Sequence, residues 1–140
     1  MAVWDEHRVF VDTNILLYAM DSDAGAKHER ARGVVEQIWS ARTGVISTQI
    51  LSEWIVNLRR KLELDWKRIG SILQPYLAWT VVVLEPTDPP AAVEIASKHR
   101  VSYWDALVLC AAKKGGVAAL LTEDLNSGQR IEGIEIVNPL

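Results

Sequence analysis

Val9-Phe10-Val11-Asp12-Thr13-Asn14-Ile15-Leu16-Leu17-Tyr18-Ala19 is the stretch that decides the fold. The run from Arg8 to Val11 is short and apolar, stops at an acid, and is followed by helix-forming apolar residues from Ile15 to Met20. A brief apolar run without polar alternation reads as a strand buried on both faces. The same pattern recurs downstream. Lys27 to Ala41 places Ala31, Val34, Val35, Ile38 and Trp39 at helical spacing, and Gly44 to Ser47 reads as a second strand. Thr48 is expected to cap a helix on which Leu51, Trp54, Ile55, Leu58 and Leu62 share a face. Asp65 to Leu77 reads as a further helix, with Ile69, Ile72, Leu73 and Tyr76 inward, and Thr80 to Leu84 as a strand. The prolines within Glu85 to Pro90 open a helix that runs to about His99. Ser102 to Lys114 is helical and ends at Gly115-Gly116, while Val117 to Leu121 and Ile134 to Val137 read as the last strands. Strands that alternate with helices imply one domain over residues 1–140. The expected fold class is a three-layer α/β/α sandwich with a central parallel sheet of four to five strands.

The 140 residues suffice for one core, and 49% hydrophobic against 24% charged residues is a globular balance. The net charge of −3 is not that of a protein holding nucleic acid by bulk electrostatics. A nucleic-acid partner would need a local basic face and bound cations. The single Cys110 lies in an apolar stretch, Ala106 to Ala112, and reads as a buried, inert thiol. Met1 to Phe10 lacks the apolar core of a signal peptide, and no apolar run approaches the ~20 residues of a membrane span. The expectation is a soluble cytoplasmic protein. The sequence contains no repeat, low-complexity tract or linker.

In a parallel sheet, ligands collect beyond the carboxyl ends of the strands. Asp12 directly follows the first strand, and Thr122-Glu123-Asp124 follows the fourth. Glu53 lies about one turn into the helix after the second strand, and Asp105 in the first turn of the helix opening at Ser102. All four acids can therefore converge on one edge. Each also has a purely structural reading. Asp12 and Asn14 can cap the first helix, Ser102-x-x-Asp105 is a capping-box pattern, Glu53 can share a solvated face with Gln49 and Asn57, and Asp124 can open a turn. Together they read differently, because gathered carboxylates repel one another unless a cation neutralises them. All-oxygen ligands suit Mg2+ or Mn2+, and no His or Cys has zinc-site spacing. Acids with such an ion are equipment for hydrolysing a phosphodiester.

Four segments carry a family resemblance: Val9 to Ala19, Ser47-Thr-Gln-Ile-Leu-Ser-Glu53, Ser102-Tyr-Trp-Asp-Ala-Leu107 and Leu121-Thr-Glu-Asp-Leu125. In order and spacing they resemble the successive motifs of PIN domains. The tail, from Gly128-Gln129 to Val137-Asn-Pro-Leu140, resembles the end of VapC-like members, the toxin ribonucleases of toxin–antitoxin pairs. The resemblance implies a metal-dependent ribonuclease site using Mg2+ or Mn2+. Its catalytic and metal-holding acids fall on Asp12, Glu53, Asp105 and Asp124, with Glu123 as rival to Asp124, and its polar helpers fall on Asn14 and Thr122. It also implies an RNA substrate, a small VapB-like antitoxin as partner, and a homodimer.

Arg59, Arg60, Lys61, Lys67 and Arg68 cluster at the end of the Glu53 helix, with Lys98/Arg100 and Lys113/Lys114 as smaller pairs. They are either a solvated charged face or contacts for RNA phosphates. Trp39, Trp54 and Trp104 have core-like helical spacing, Trp4, Trp66 and Trp79 are candidate interface residues, and His7, His28 and His99 read as surface residues. The alternatives are a catalytically silent PIN-like binding module and DNA cleavage by the same acids, which do not read the 2′-OH. A receiver-type phosphoacceptor domain fits poorly, because Asn138 rather than Lys follows the last strand.

Overall fold

The computed structural model describes all residues, 1–140. The strands are β1 (Val9–Val11), β2 (Gly44–Ser47), β3 (Thr80–Val82), β4 (Ala119–Leu121), β5 (Arg130–Ile131) and β6 (Ile134–Val137). The helices are α1 (Val3–Glu6), α2 (Thr13–Met20), α3 (Ala26–Ala41), α4 (Thr48–Arg60), α5 (Trp66–Leu73), α6 (Asp88–His99) and α7 (Tyr103–Lys114). The strands form one sheet in the order β3-β2-β1-β4-β6-β5. Every neighbouring pair is parallel except β5 with β6.

This order fixes the layers. From β1 the chain steps outward to β2 and β3, then returns past β1 to β4. Right-handed crossovers in opposite directions lie on opposite faces of a sheet. The segment α2 to α5 therefore covers one face and the pair α6–α7 the other. The packing agrees: α2 meets α3 and α4, and α6 meets α7, which also touches β2 and β3. The direction of winding reverses between β1 and β4, where the loops diverge and leave a crevice.

All three residues of β1 and of β4 are fully buried within one cluster of 33 apolar residues. Each such Val, Leu, Ile or Phe contributes about 1.5–3 kcal/mol by leaving water. In α7 everything from Ala106 to Ala112 is buried, Cys110 included. Gly44 is required by close approach, because a Cβ there would lie 2.5 Å from the Trp79 ring. No helix is long and apolar enough to cross a membrane.

The parallel α/β architecture is as expected, and the differences are local. The sheet gains a two-residue antiparallel edge strand, β5, joined to β6 through Glu132 and Gly133. Both have positive φ (51° and 77°), as a tight two-residue hairpin demands. Ser47, not Thr48, caps α4: it is still extended, and its Oγ accepts from the Ile50 N–H at 3.2 Å. The face of α4 that is fully buried is Ile50, Trp54 and Leu58, with Leu51, Ile55 and Leu62 half-buried beside it. Pro75 has no N–H to donate, so α5 stops at Leu73 and Gln74–Ala78 continues as a 3-10 turn. Trp104 is 64% exposed rather than core, while Trp79 is buried in the aromatic cluster with Trp39 and Tyr76. His7 is exposed, but His28 and His99 are half-buried, bonded to the Tyr18 carbonyl and the Glu132 carboxylate.

Candidate active site

β1 and β4 run side by side with Val11 opposite Leu121, so Asp12 and Thr122 leave the sheet at the same edge. Asp12 caps α2, its Oδ1 accepting from the Thr13 N–H at 2.8 Å. Its Oδ2 accepts from the Thr122 hydroxyl at 2.7 Å. The cap and the site are thus served by two oxygens of one carboxylate. Asp12 is only 7% exposed, and burial pushes its carboxyl up to about 6. The bonds from Thr122 and Thr13 work against that rise, and the charges of Asp124 and Glu53 add to it.

α4 brings Glu53 to the same edge, where both its oxygens are held. Oε2 accepts from the Thr13 hydroxyl and Oε1 from the Gln49 amide, each at 2.8 Å. Asp124 follows β4, with its N–H bonded to Thr122 Oγ1 at 3.1 Å. Partial desolvation at the cleft first, then the charges of Asp105, Glu123 and Glu53, raise the Asp124 carboxyl above the ordinary range although the residue is exposed, and a bond from Asn14 opposes the rise. Only half of the capping box at α7 forms: Ser102 Oγ accepts from the Asp105 N–H at 3.1 Å. The Asp105 carboxylate is not spent on the cap.

A cleft of about 430 Å³ gathers Asp12, Asn14, Glu53 and Asp124, with Glu123 and Lys61 also on its wall. Asp105 stands outside this lining, within electrostatic reach of Asp124. Thr122 lies beneath it, fully buried. The carboxylates do not close into a ready-made three-ligand cage. Their surroundings nevertheless suit a hard cation. Asp12 is a buried acid flanked by further acids, and Asn14 Oδ1 is a buried acceptor without a partner. A divalent ion would relieve the first and satisfy the second.

Of the sequence candidates, the structure brings together Asp12, Glu53, Asp124, Asn14 and Thr122, and places Asp105 at the rim. Glu123 is on the cleft wall, but its two oxygens accept from Tyr18 and Lys27. Burial pushes its carboxyl up, but the Tyr18 hydroxyl and the Lys27 ammonium outweigh this and hold it below the usual range. Sequence reasoning missed Thr13 and Gln49 as the residues that hold Glu53, and Asn57 as a wall residue. The signal was present in part: Gln49, Glu53, Asn57 and Lys61 recur every four residues, the spacing of one helix face.

A mostly parallel α/β/α fold with an acidic cleft at the β1/β4 reversal defines the class. The sequence profile of the PIN domain matches residues 9–130, and the chain belongs to the PIN domain family. No curated protein matches the sequence. Solved structures match its fold. VapC20 from Mycobacterium tuberculosis, described as a sarcin-ricin loop cleaving toxin, is 19% identical with a TM-score of 0.65, over 83% of this chain and 91% of that one. A toxin–antitoxin complex from Klebsiella pneumoniae is 18% identical with a TM-score of 0.68, over 94% and 98%. DNA-bound VapBC from Salmonella typhimurium is 18% identical with a TM-score of 0.64, over 95% and 98%.

Proposed function

We propose that the chain is a metal-dependent endoribonuclease and the toxin of a toxin–antitoxin pair. The observation that carries this reading is Asp12: a buried carboxylate raised to about 6, at the fold's switch point, with Glu53 and Asp124 beside it and Asp105 at the rim next to Asp124. No histidine lines the cleft, so the available chemistry is that of carboxylates.

Asp12, Glu53, Asp105 and Asp124 would hold Mg2+ or Mn2+. When bound, such an ion supplies Lewis acidity, lowering the pKa of water and neutralising charge on the phosphate. The chain's own contribution is preorganisation. Thr13 and Thr122 fix the two oxygens of Asp12, and Thr13 and Gln49 fix those of Glu53. Asn14 and Thr122 orient Asp124. Lys61, two turns beyond Glu53 at the C-terminal cap of α4, puts a positive charge at the cleft wall where a phosphate would approach. Arg59, Arg60, Lys67 and Arg68 extend that charge onto the surface. RNA rather than DNA is supported by the likeness to a toxin described as cleaving an RNA loop. The likeness to toxin–antitoxin complexes supports a small VapB-like antitoxin, whose basic side chain would complement the acids. Homodimerisation is supported by the exposed Trp66 and Trp104. Light scattering at tens of micromolar tests it, and a monomeric mass rejects it. The test of the function is incubation with mixed cellular RNA, and with DNA of matched sequence, followed by mapping of the cleaved ends. Discrete RNA ends and intact DNA are expected.

Asp105 gives a sharper prediction. If it served only as a helix-terminal charge, Asp105→Asn would cost about 0.3–1 kcal/mol of stability and leave cleavage nearly intact. As a member of the site, its loss lowers cleavage at least about 100-fold. The metal-free variant then melts close to the parent, because relief of repulsion with Asp124 offsets the lost dipole contact. Melting curves with and without Mg2+, plus one cleavage assay, distinguish the two.

A further inference from the structure

Glu123 lies between Thr122 and Asp124, and each oxygen of its carboxylate is held by a residue of another element. The Tyr18 hydroxyl on α2 donates to Oε1 at 2.7 Å, and Lys27 Nζ on α3 donates to Oε2 at 2.9 Å. Lys27 also sits over the Tyr18 ring, 5.1 Å from its centroid. The three side chains thus tie two helices to the segment that follows β4. That segment needs tying: from Thr122 to Gln129 it has neither helix nor strand, and Asp124 on it is exposed. Tyr18 stands one turn beyond Asn14, so the helix that Asp12 caps also holds the strand that delivers Asp124.

We propose that Tyr18, Lys27 and Glu123 form a positioning clamp that holds the Thr122–Asp124 segment against α2, and that Glu123 is a tether and not a metal ligand. The proposal rests on the reading of the cleft as a metal-dependent nuclease site. Hydrogen bonds to an ionised carboxylate are among the stronger ones. Backbone and hydroxyl bonds pin this segment at Thr122 and Gly128, but an acid on the irregular stretch between them still loses freedom when a cation binds. A clamp that fixes it beforehand removes that loss of entropy from the binding step. An exposed ion pair alone would do little, since Lys27 is half exposed. The second bond, from Tyr18, and the aromatic contact give the clamp its direction.

Tether and ligand predict opposite outcomes for one variant. In Tyr18→Phe/Lys27→Met, Glu123 is present but released. If Glu123 is a tether, Mn2+ affinity weakens about tenfold, as much as in Glu123→Ala, because outer contacts of a metal site typically control it by 10–100-fold. kcat on RNA then falls about tenfold with KM unchanged, and Lys27→Arg restores part of the loss. Amide exchange over residues 121–127 of the metal-free protein becomes faster in both variants. If Glu123 is a ligand, releasing it leaves Mn2+ affinity unchanged or tighter while Glu123→Ala alone weakens it, and the proposal is overturned. Asp12→Asn serves as the control for the site itself. Should that variant bind Mn2+ as the parent does, the metal-site reading fails separately. The clamp is then judged on exchange alone, where unchanged rates in the released variant reject it.

Discussion

Asp12→Asn is expected to lower RNA cleavage at least about 100-fold while making the metal-free protein more stable at neutral pH. The two effects have one cause. Asp12 has a folded-state pKa of about 6 against an ordinary 3.8. A raised acid binds its proton more tightly when folded. Its contribution to stability is therefore fully present below about pH 3.8, and is lost as pH rises through about 6. At about 1.4 kcal/mol per pKa unit, the ionised Asp12 costs roughly 3 kcal/mol at pH 7 in the absence of metal. Asn keeps the bond from the Thr13 N–H and carries no charge, so it preserves the cap and removes most of that cost. A cation reverses the balance for the parent alone. Mn2+ should raise the parent's melting temperature and leave the variant's unchanged. Because binding must displace the proton, the parent's apparent affinity should fall about tenfold per pH unit below about pH 6. Titrations at pH 5 and 7.5 check this, and equal affinities at the two would refute it.

Trp54→Ala should be the most damaging change to the fold. The ring is fully buried and meets Tyr76 edge-on, with centroids 4.8 Å apart. Truncating a buried Trp costs about 3–5 kcal/mol, much of the 5–15 kcal/mol that a domain of this size possesses. Denaturant melts should show the midpoint collapse. Trp54→Phe should be much milder than its loss of volume suggests. Trp54 Nε1 is buried without an acceptor, and removing an orphaned donor recovers about 1–3 kcal/mol. A Phe variant as unstable as the Ala variant would show that the indole N–H has an unrecognised partner. Trp54 faces the core while Glu53 faces the cleft, so the Ala variant should lose cleavage only in proportion to unfolding.

Much of the cleft was legible because its main acids sit where strand grammar puts them. β1 and β4 are short, wholly apolar runs, and the residue after each is polar, so Asp12 and Thr122-Glu123-Asp124 could be placed on one edge from pattern alone. Glu53 followed from its offset into α4. What escaped detection depends on contacts between distant segments or on elements too short for periodicity. β5 has two residues, and α1 only four. From sequence Thr48 is expected to cap α4, but Ser47 is an equally good cap type, and the extended backbone at Ser47 makes it the cap. Trp104 looked apolar among apolar neighbours, but the first turn of α7 carries it outward. Trp79 is buried because Gly44 leaves room for its ring, a pairing across 35 positions with no local trace. Between Asp124 and Glu123, sequence left the choice open. The hydroxyl and ammonium that occupy Glu123 come from helices about 100 residues earlier in the chain.

The most direct measurement is cleavage of mixed cellular RNA by the purified chain after exhaustive chelation, before and after Mg2+ or Mn2+ is restored, with Asp12→Asn run in parallel. The expected result is silence under chelation, recovery of discrete cleavage on adding either ion, and no cleavage by the variant in any condition. Cleavage that persists under complete chelation, or a variant as active as its parent, would contradict a nuclease built on these acids.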